Sequence, residues 1–191
     1  MIRGIIFDCF GVLYRGSLTH LAELAPPDRR QEVLDLSHAS DYGYISHDEY
    51  FTRLGELVGK PTEEVEAIIR ARHIRNEELI AIVRQLKPHY KLGLLSNVGR
   101  GVMNELFSAK ERAELFDAVV LSSDVGMVKP HPEIYEYILA QLGEQAEACV
   151  MIDDIAENVD GAAQVGMQGI VFQSPKQLRA DLQQLLVEVA A

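Results

Sequence analysis

Tryptophan is absent from this chain, cysteine occurs twice, and 18 basic residues face 29 acidic ones. Each shortage excludes something. Two cysteines, Cys9 and Cys149, both set in apolar runs, build neither a disulfide framework nor a zinc site. They fit a reducing compartment, and a cytoplasmic location is expected. The net charge of −11 repels phosphate backbones over most of the surface, so nucleic acid is not expected as a partner. No apolar run is long enough to span a bilayer, and Met1 to Asp8 lacks the pattern of a secretory signal, so no membrane association is expected. A small phosphorylated molecule is compatible with this charge, because it needs only one local positive site. With 48% hydrophobic and 25% charged residues the composition is that of an ordinary globular chain, either monomer or homodimer.

Short apolar runs alternate with helical patterns. Ile2–Phe7, Lys91–Leu95, Ala118–Leu121, Cys149–Ile152 and Gly169–Phe172 read as strands. Their near-continuous apolarity suits a parallel sheet covered on both faces. Asn76 is placed to cap a helix running to Lys87, before Pro88. Pro132 opens another that Gly143 closes, and Asp153-Asp154 leads into a third that Gly166 ends. Ser174-Pro175 starts a last helix carrying Leu178, Leu182, Leu185 and Leu186, which covers the sheet or meets a partner. This alternation predicts an α/β fold with a doubly wound parallel sheet. From about Leu18 to Arg75 no strand is predicted. Several short helices stand there instead, broken at Pro26-Pro27, Asp41–Tyr44 and Gly59–Pro61, with Ser46 and Glu49 as a capping pair. The expected division is a core of residues 1–16 and 76–191 and a helical cap of residues 17–75.

Ligands of open α/β sheets bind beyond the carboxyl ends of the strands. In this chain those ends are followed by Asp8-Cys9-Phe10-Gly11-Val12, by Ser96-Asn97, by Ser122-Ser123-Asp124 and then Lys129-Pro130, and by Asp153-Asp154. Singly, each has an ordinary explanation as a helix cap, a turn residue or a solvated lysine. Jointly they bring three acids, a hydroxyl, an amide and an amine to one rim. Two carboxylates about 4 Å apart repel by roughly 4 kcal/mol at an effective dielectric of about 20. One lysine does not offset three acids; a divalent cation does, and an oxygen-only site suits Mg²⁺. Lys129 would then steady developing negative charge, while Ser96 and Asn97 donate to phosphoryl oxygens.

The pattern Asp8-x-x-Gly11-Val12, Ser96-Asn97, Lys129-Pro130 and Asp153-Asp154-x-x-x-Asn158 resembles the four motifs of the haloacid dehalogenase-like hydrolase superfamily. Val128 to Tyr135 is an especially typical third-motif stretch. The resemblance implies a Rossmann-like core with a small all-helical cap after the first strand, similar to glucose-1-phosphate phosphatase-like members. It implies that Asp8 is the nucleophile and forms an aspartyl-phosphate, and that Ser96 and Lys129 hold the phosphoryl group. Mg²⁺ would be bound by Asp8, the backbone carbonyl of Phe10, and the Asp153-Asp154 pair. The expected activity is that of a phosphatase acting on a small phosphorylated metabolite such as a sugar phosphate.

One position departs from the family pattern. Its phosphatases usually carry a second aspartate two residues after the nucleophile, as general acid and base; here Phe10 stands there. Three readings are open on the sequence. The first is a phosphatase whose acid comes from elsewhere or whose leaving group needs little protonation. The second is a 2-haloacid dehalogenase, which needs no metal and commonly has an aromatic residue at this position. The third is an idle binding protein. His38, Asp41 and His47 in the insert are candidates for the missing acid. Tyr14, Arg15, Asp41, Tyr42 and Tyr44 are candidates for lining the pocket, and Arg100 either touches substrate or faces solvent.

Overall fold

A computed structural model describes residues 1–15 and 21–187. The expected junction between core and insert, at residues 16–17, lies outside them. The apolar runs form β1 Gly4–Phe7, β2 Lys91–Ser96, β3 Ala118–Leu121, β4 Cys149–Asp153 and β5 Gln168–Val171. All pair in parallel, in the order β3-β2-β1-β4-β5. Strand ends shift by one or two residues from expectation, because ladder partners set them. Ile2 and Arg3 precede β1, although Arg3 still bonds to Ala148 and Lys91 through its backbone (both 2.8 Å). Ser96 and Asp153 extend their strands by one residue each, and β5 starts one residue earlier, where Gln168 pairs with Val150.

Ahead of the sheet's second strand lie α1 Arg30–Asp41, α2 His47–Val58, α3 Thr62–Arg70 and α4 Glu77–Leu86. After it come α5 Val102–Leu106, α6 Ala109–Leu115, α7 Ser122–Val125, α8 Pro132–Leu142, α9 Ala156–Gln164 and α10 Pro175–Val187. The predicted caps are in place. Asn76 Oδ1 accepts from Leu79 N (3.3 Å), Ser46 Oγ from Glu49 N (3.1 Å) and Ser174 Oγ from Gln177 N (3.2 Å). Ser122 to Asp124, expected only as strand-end residues, wind into the one-turn helix α7.

Alternation along the strands splits the core in two. Ile5, Phe7, Leu92, Leu94, Val150 and Ile152 face Leu79, Ile80 and Val83 of α4 and Leu178 and Leu182 of α10. Ile6, Leu95, Val120 and Met151 face Ile134, Tyr135 and Ile138 of α8 and Ala162 of α9. The fold is therefore an α/β Rossmann-like sheet covered on both faces. Helices α1–α3 close a third cluster of their own around Val33, Leu36, Phe51, Leu54, Val65 and Ile69, and no strand lies among the described residues of this insert. The cap is thus all-helical and follows the first strand.

Strand order turns at β1: the chain leaves it for β2 on one side and returns on the other as β4. A crevice forms at such a switch point, beyond the carboxyl ends. The insert is pinned over that rim. Ser122 Oγ donates to the Asp41 carbonyl (2.6 Å), Arg70 makes two hydrogen bonds to Glu105 (3.0 and 3.2 Å), and Ser40 packs on Gly99. No helix among the described residues is long and apolar enough to cross a membrane.

Candidate functional site

Asp8 directly follows β1, its N–H held by the Ile152 carbonyl (2.9 Å), which aims its side chain into the crevice between β2 and β4. Lys129, on the loop between α7 and α8, reaches the same point. Its Nζ lies 2.6 Å from Asp8 Oδ1 and 2.6 Å from Asp153 Oδ2, with all three side chains buried. Burial alone would lower the pKa of this amine, but Asp8 and Asp153 outweigh that and hold it above the ordinary lysine value, so it stays charged. Burial pushes the Asp8 carboxyl up to about 7; Lys129 opposes the rise, and Asp153 and Asp154 add to it. Cys9 is no rival nucleophile, because burial pushes its thiol well up as well.

Asp153 is the more fully engaged of the acid pair. Its Oδ1 accepts from Ile155 N (2.9 Å), Asn158 Nδ2 approaches both oxygens (3.1 Å each), and Lys129 takes Oδ2. Asp154 is exposed, and burial of its carboxyl against the site together with the charge of Asp153 raises its proton affinity. Its carboxylate makes no ion pair with any described residue. It lies directly over Gly11, where a methyl group would occupy the same space. Oxygens of Asp8, Asp153 and Asp154 all come within 4.8 Å of one another.

This donor set fits a hard divalent cation. Three carboxylates against one ammonium leave two negative charges uncompensated. The Phe10 carbonyl, on the loop that carries Asp8, accepts no hydrogen bond from any described residue. An ion such as Mg²⁺ favours a few oxygen ligands of this kind plus water and substrate oxygens.

Asn97 occupies a different place from the one its motif suggests. Its Oδ1 accepts from Lys129 N (2.8 Å) and its Nδ2 donates to the Lys129 carbonyl (2.9 Å), so its side chain clamps the lysine's backbone. Ser96 is buried at the end of β2, its hydroxyl 3.5 Å from the Asn97 carbonyl and otherwise uncommitted. From sequence, Asn158 is quoted only as the end of the fourth motif and Ser122 only as a strand-end residue, and neither is given a role. The signal for Asn158 was present, one helical turn beyond the acid pair.

Among the insert's candidates for the missing acid, Asp41 is the one whose carboxyl is subject to the charge of Lys129. It sits at the C-terminal end of α1, half-buried; burial pushes its carboxyl up to about 7 and the charge of Lys129 opposes the rise. His38 is exposed, and the His47 ring packs tilted against Phe51 (4.6 Å) with Nε2 3.9 Å from Glu105. Tyr42 and Tyr44 stack on each other (5.1 Å), Tyr14 donates to the Leu106 carbonyl (2.6 Å), and Arg15 is exposed. Arg100 is also exposed, with Nε 3.4 Å from the Ser123 carbonyl. The Phe10 ring tilts against His73 (5.1 Å), on the wall of a hollow of about 410 Å³ lined by Tyr14, Arg70, Arg75, Glu105 and Leu106.

Known proteins share this arrangement at the level of family and fold. Residues 2–166 match the family model of haloacid dehalogenase-like hydrolases. The sesquiterpene phosphatase astK of Aspergillus oryzae is 29% identical over 196 aligned positions, covering 96% of each chain. The pyrophosphatase PpaX of Bacillus cereus is 27% identical over 86% of this chain and 80% of its own. A HAD family enzyme of Bacteroides thetaiotaomicron, solved with magnesium and inorganic phosphate, superposes with a TM-score of 0.75 at 19% identity, over 91% of this chain and 95% of that one. With the motif residues gathered at one rim and a family match over most of its length, the chain belongs to the haloacid dehalogenase-like hydrolases.

Proposed function

We propose that this hydrolase is a Mg²⁺-dependent phosphatase of small phosphate esters, working through an aspartyl-phosphate on Asp8. The observation that carries the reading is the meeting of Asp8, Asp153 and Asp154 around Lys129, which leaves a double negative charge. A dehalogenase needs a nucleophilic carboxylate but has no use for that surplus. Asp8, the Phe10 carbonyl and Asp154 would hold the ion, with Asp153 orienting Lys129 behind them. When bound, the ion offsets charge on the phosphoryl oxygens. The names of the relatives, two of them phosphatases of different substrates, support the class of reaction and leave the ester unspecified.

The chain's own residues divide the work. Asp8 attacks phosphorus. Lys129, freed from part of its pairing with Asp8, meets the negative charge that grows on the phosphoryl oxygens, a contribution that for one such donor is about 10²–10³-fold. Ser96 offers its uncommitted hydroxyl to the same oxygens. Asn97 keeps Lys129 in register through two backbone hydrogen bonds. Residues 1–16 and 76–191 act as the hydrolase unit, and residues 17–75 cover the rim and admit the leaving group.

Phe10 favours a second reading, the 2-haloacid dehalogenase, and one experiment separates the two. A panel of phosphate esters and 2-haloacids is incubated with Mg²⁺ and with chelator. Phosphate release only with the metal, abolished in Asp8→Asn with an unchanged circular dichroism spectrum, is the expected result. Halide release that survives chelation selects the dehalogenase, and phosphatase turnover near wild type in Asp8→Asn removes Asp8 from its role.

A further inference from the structure

Phe10 leaves the proposed phosphatase without the usual proton carrier, and the insert brings a carboxyl-bearing segment onto the same rim. Segment Ser40–Gly43 is the part of the insert most tightly joined to the rim. Ser122 Oγ, which accepts from Val98 N (2.9 Å), donates to the Asp41 carbonyl (2.6 Å). Ser40 Oγ fills the space over Gly99, and Gly43 lies against the Ser123 carbonyl. These contacts seat Asp41 on the loops that follow β2 and β3, the loops that carry Asn97 and lead to Lys129. The backbone of Asp41 is fixed, while its carboxyl makes no hydrogen bond or ion pair with any described residue.

We propose that Asp41 is the general acid and base of the reaction, a catalytic residue brought by the cap in place of the missing aspartate at position 10. The proposal rests on the phosphatase reading. In the first step an Asp8 oxygen bonds to phosphorus, the ester P–O bond breaks, and the Asp41 carboxyl passes its proton to the departing oxygen. In the second, the Asp41 carboxylate takes a proton from water as that water's oxygen bonds to phosphorus, and the P–O bond to Asp8 breaks. Phosphate leaves and Asp41 is again protonated, so one ester and one water give one alcohol and one phosphate.

The surroundings suit both steps. Burial raises the carboxyl to about 7, so both forms are populated near neutrality. The charge of Lys129, from the core, acts on this carboxyl, and the carboxyl in turn acts on Tyr50 of α2, whose hydroxyl lies 3.1 Å from Ser37 Oγ and is made less acidic by burial and by the charge of Asp41. Arg100, on the rim, is turned to the Ser123 carbonyl. His38 and His47, the other candidates in the insert, are respectively exposed and packed tilted against Phe51.

The test compares two esters in saturating Mg²⁺: glycerol phosphate, whose leaving group must be protonated, and 2,4-dinitrophenyl phosphate, whose leaving group departs as an anion. With Asp41→Asn, kcat/KM on glycerol phosphate is expected to fall by about 10²–10⁴-fold, while the pre-steady-state burst of dinitrophenolate stays within about threefold of wild type. Steady turnover after that burst is slow, because the acyl phosphate on Asp8 waits for water. Equal losses in the burst and on glycerol phosphate, or no loss on either, overturn the assignment. If wild type releases phosphate from neither ester, the phosphatase reading falls and this inference with it. Should Asp41→Asn fail to fold, wild type answers alone across aryl phosphates: a kcat/KM nearly independent of leaving-group acidity supports an internal acid, and a steep decline overturns it.

Discussion

Gly11 is the residue at which the site tolerates least change. Its φ of +89° lies in the left-handed region, and a methyl group on its Cα would stand inside the Asp154 carboxylate. Gly11→Ala therefore strains the backbone by about 1–2 kcal/mol and drives Asp154 from its place. A Mg²⁺ titration of turnover is expected to shift to at least about tenfold higher metal, the fold-change that 1.4 kcal/mol of lost binding gives. An unchanged titration would mean that Asp154 is not a ligand. At this scale the sequence was informative about residues that stand at strand ends, since topology sends Asp8, Ser96, Lys129, Asp153 and Asp154 to one rim whatever the details. It was less informative about what each side chain does there. Asn97 spends its amide on Lys129, 32 residues away, a pairing with no local signal. His38, Asp41 and His47 were indistinguishable in sequence, because nothing in α1 or α2 says which side chains are carried to the rim.

At the scale of elements, the apolar runs and capping residues located the strands and the longer helices, while their exact ends followed from pairing. The short helices α5, α6 and α7 carry too few residues for a period to show, and they form where loops are pulled onto the core. Asp117 illustrates how such joints are made. Just before β3, it accepts from Leu92 N at the start of β2 (2.8 Å) and pairs with Lys87 at the end of α4 (2.9 Å). Burial raises its proton affinity, but the Leu92 N–H and Lys87 outweigh that and hold the carboxyl below its ordinary 3.8. The native state thus binds this proton more weakly than the unfolded chain does. Its stabilisation is complete above 3.8 and is lost as pH falls through the lower native value. Asp117→Ala is expected to cost about 1–3 kcal/mol at pH 7, because Leu92 N loses its acceptor. Urea melts at decreasing pH should show the gap between variant and wild type closing below 3.8. A gap independent of pH would assign the loss to the Leu92 hydrogen bond alone.

For the molecule as a whole, charge is the governing quantity. The chain carries −11 overall, and three of its acids meet at the rim, compensated there among the described residues by Lys129. The ion pair of Arg70 with Glu105 across the seam is largely exposed and contributes about 0–1 kcal/mol. On the proposed reading a bound metal would stabilise the fold, because it would act where repulsion is concentrated and only in the folded state. At a hundred times its dissociation constant such a ligand adds about 2.7 kcal/mol. For a chain of this size that corresponds to a rise in melting temperature of roughly 5–10 °C. Thermal melts in chelator and in excess Mg²⁺ are expected to show this rise in wild type. Asp154→Asn should remove it, and should also melt higher than wild type in chelator, since one of three mutually repelling carboxylates is gone. A metal-induced shift that survives in Asp154→Asn would place the ion elsewhere. A wild type that does not respond to the metal at all would leave the converging acids without their cation.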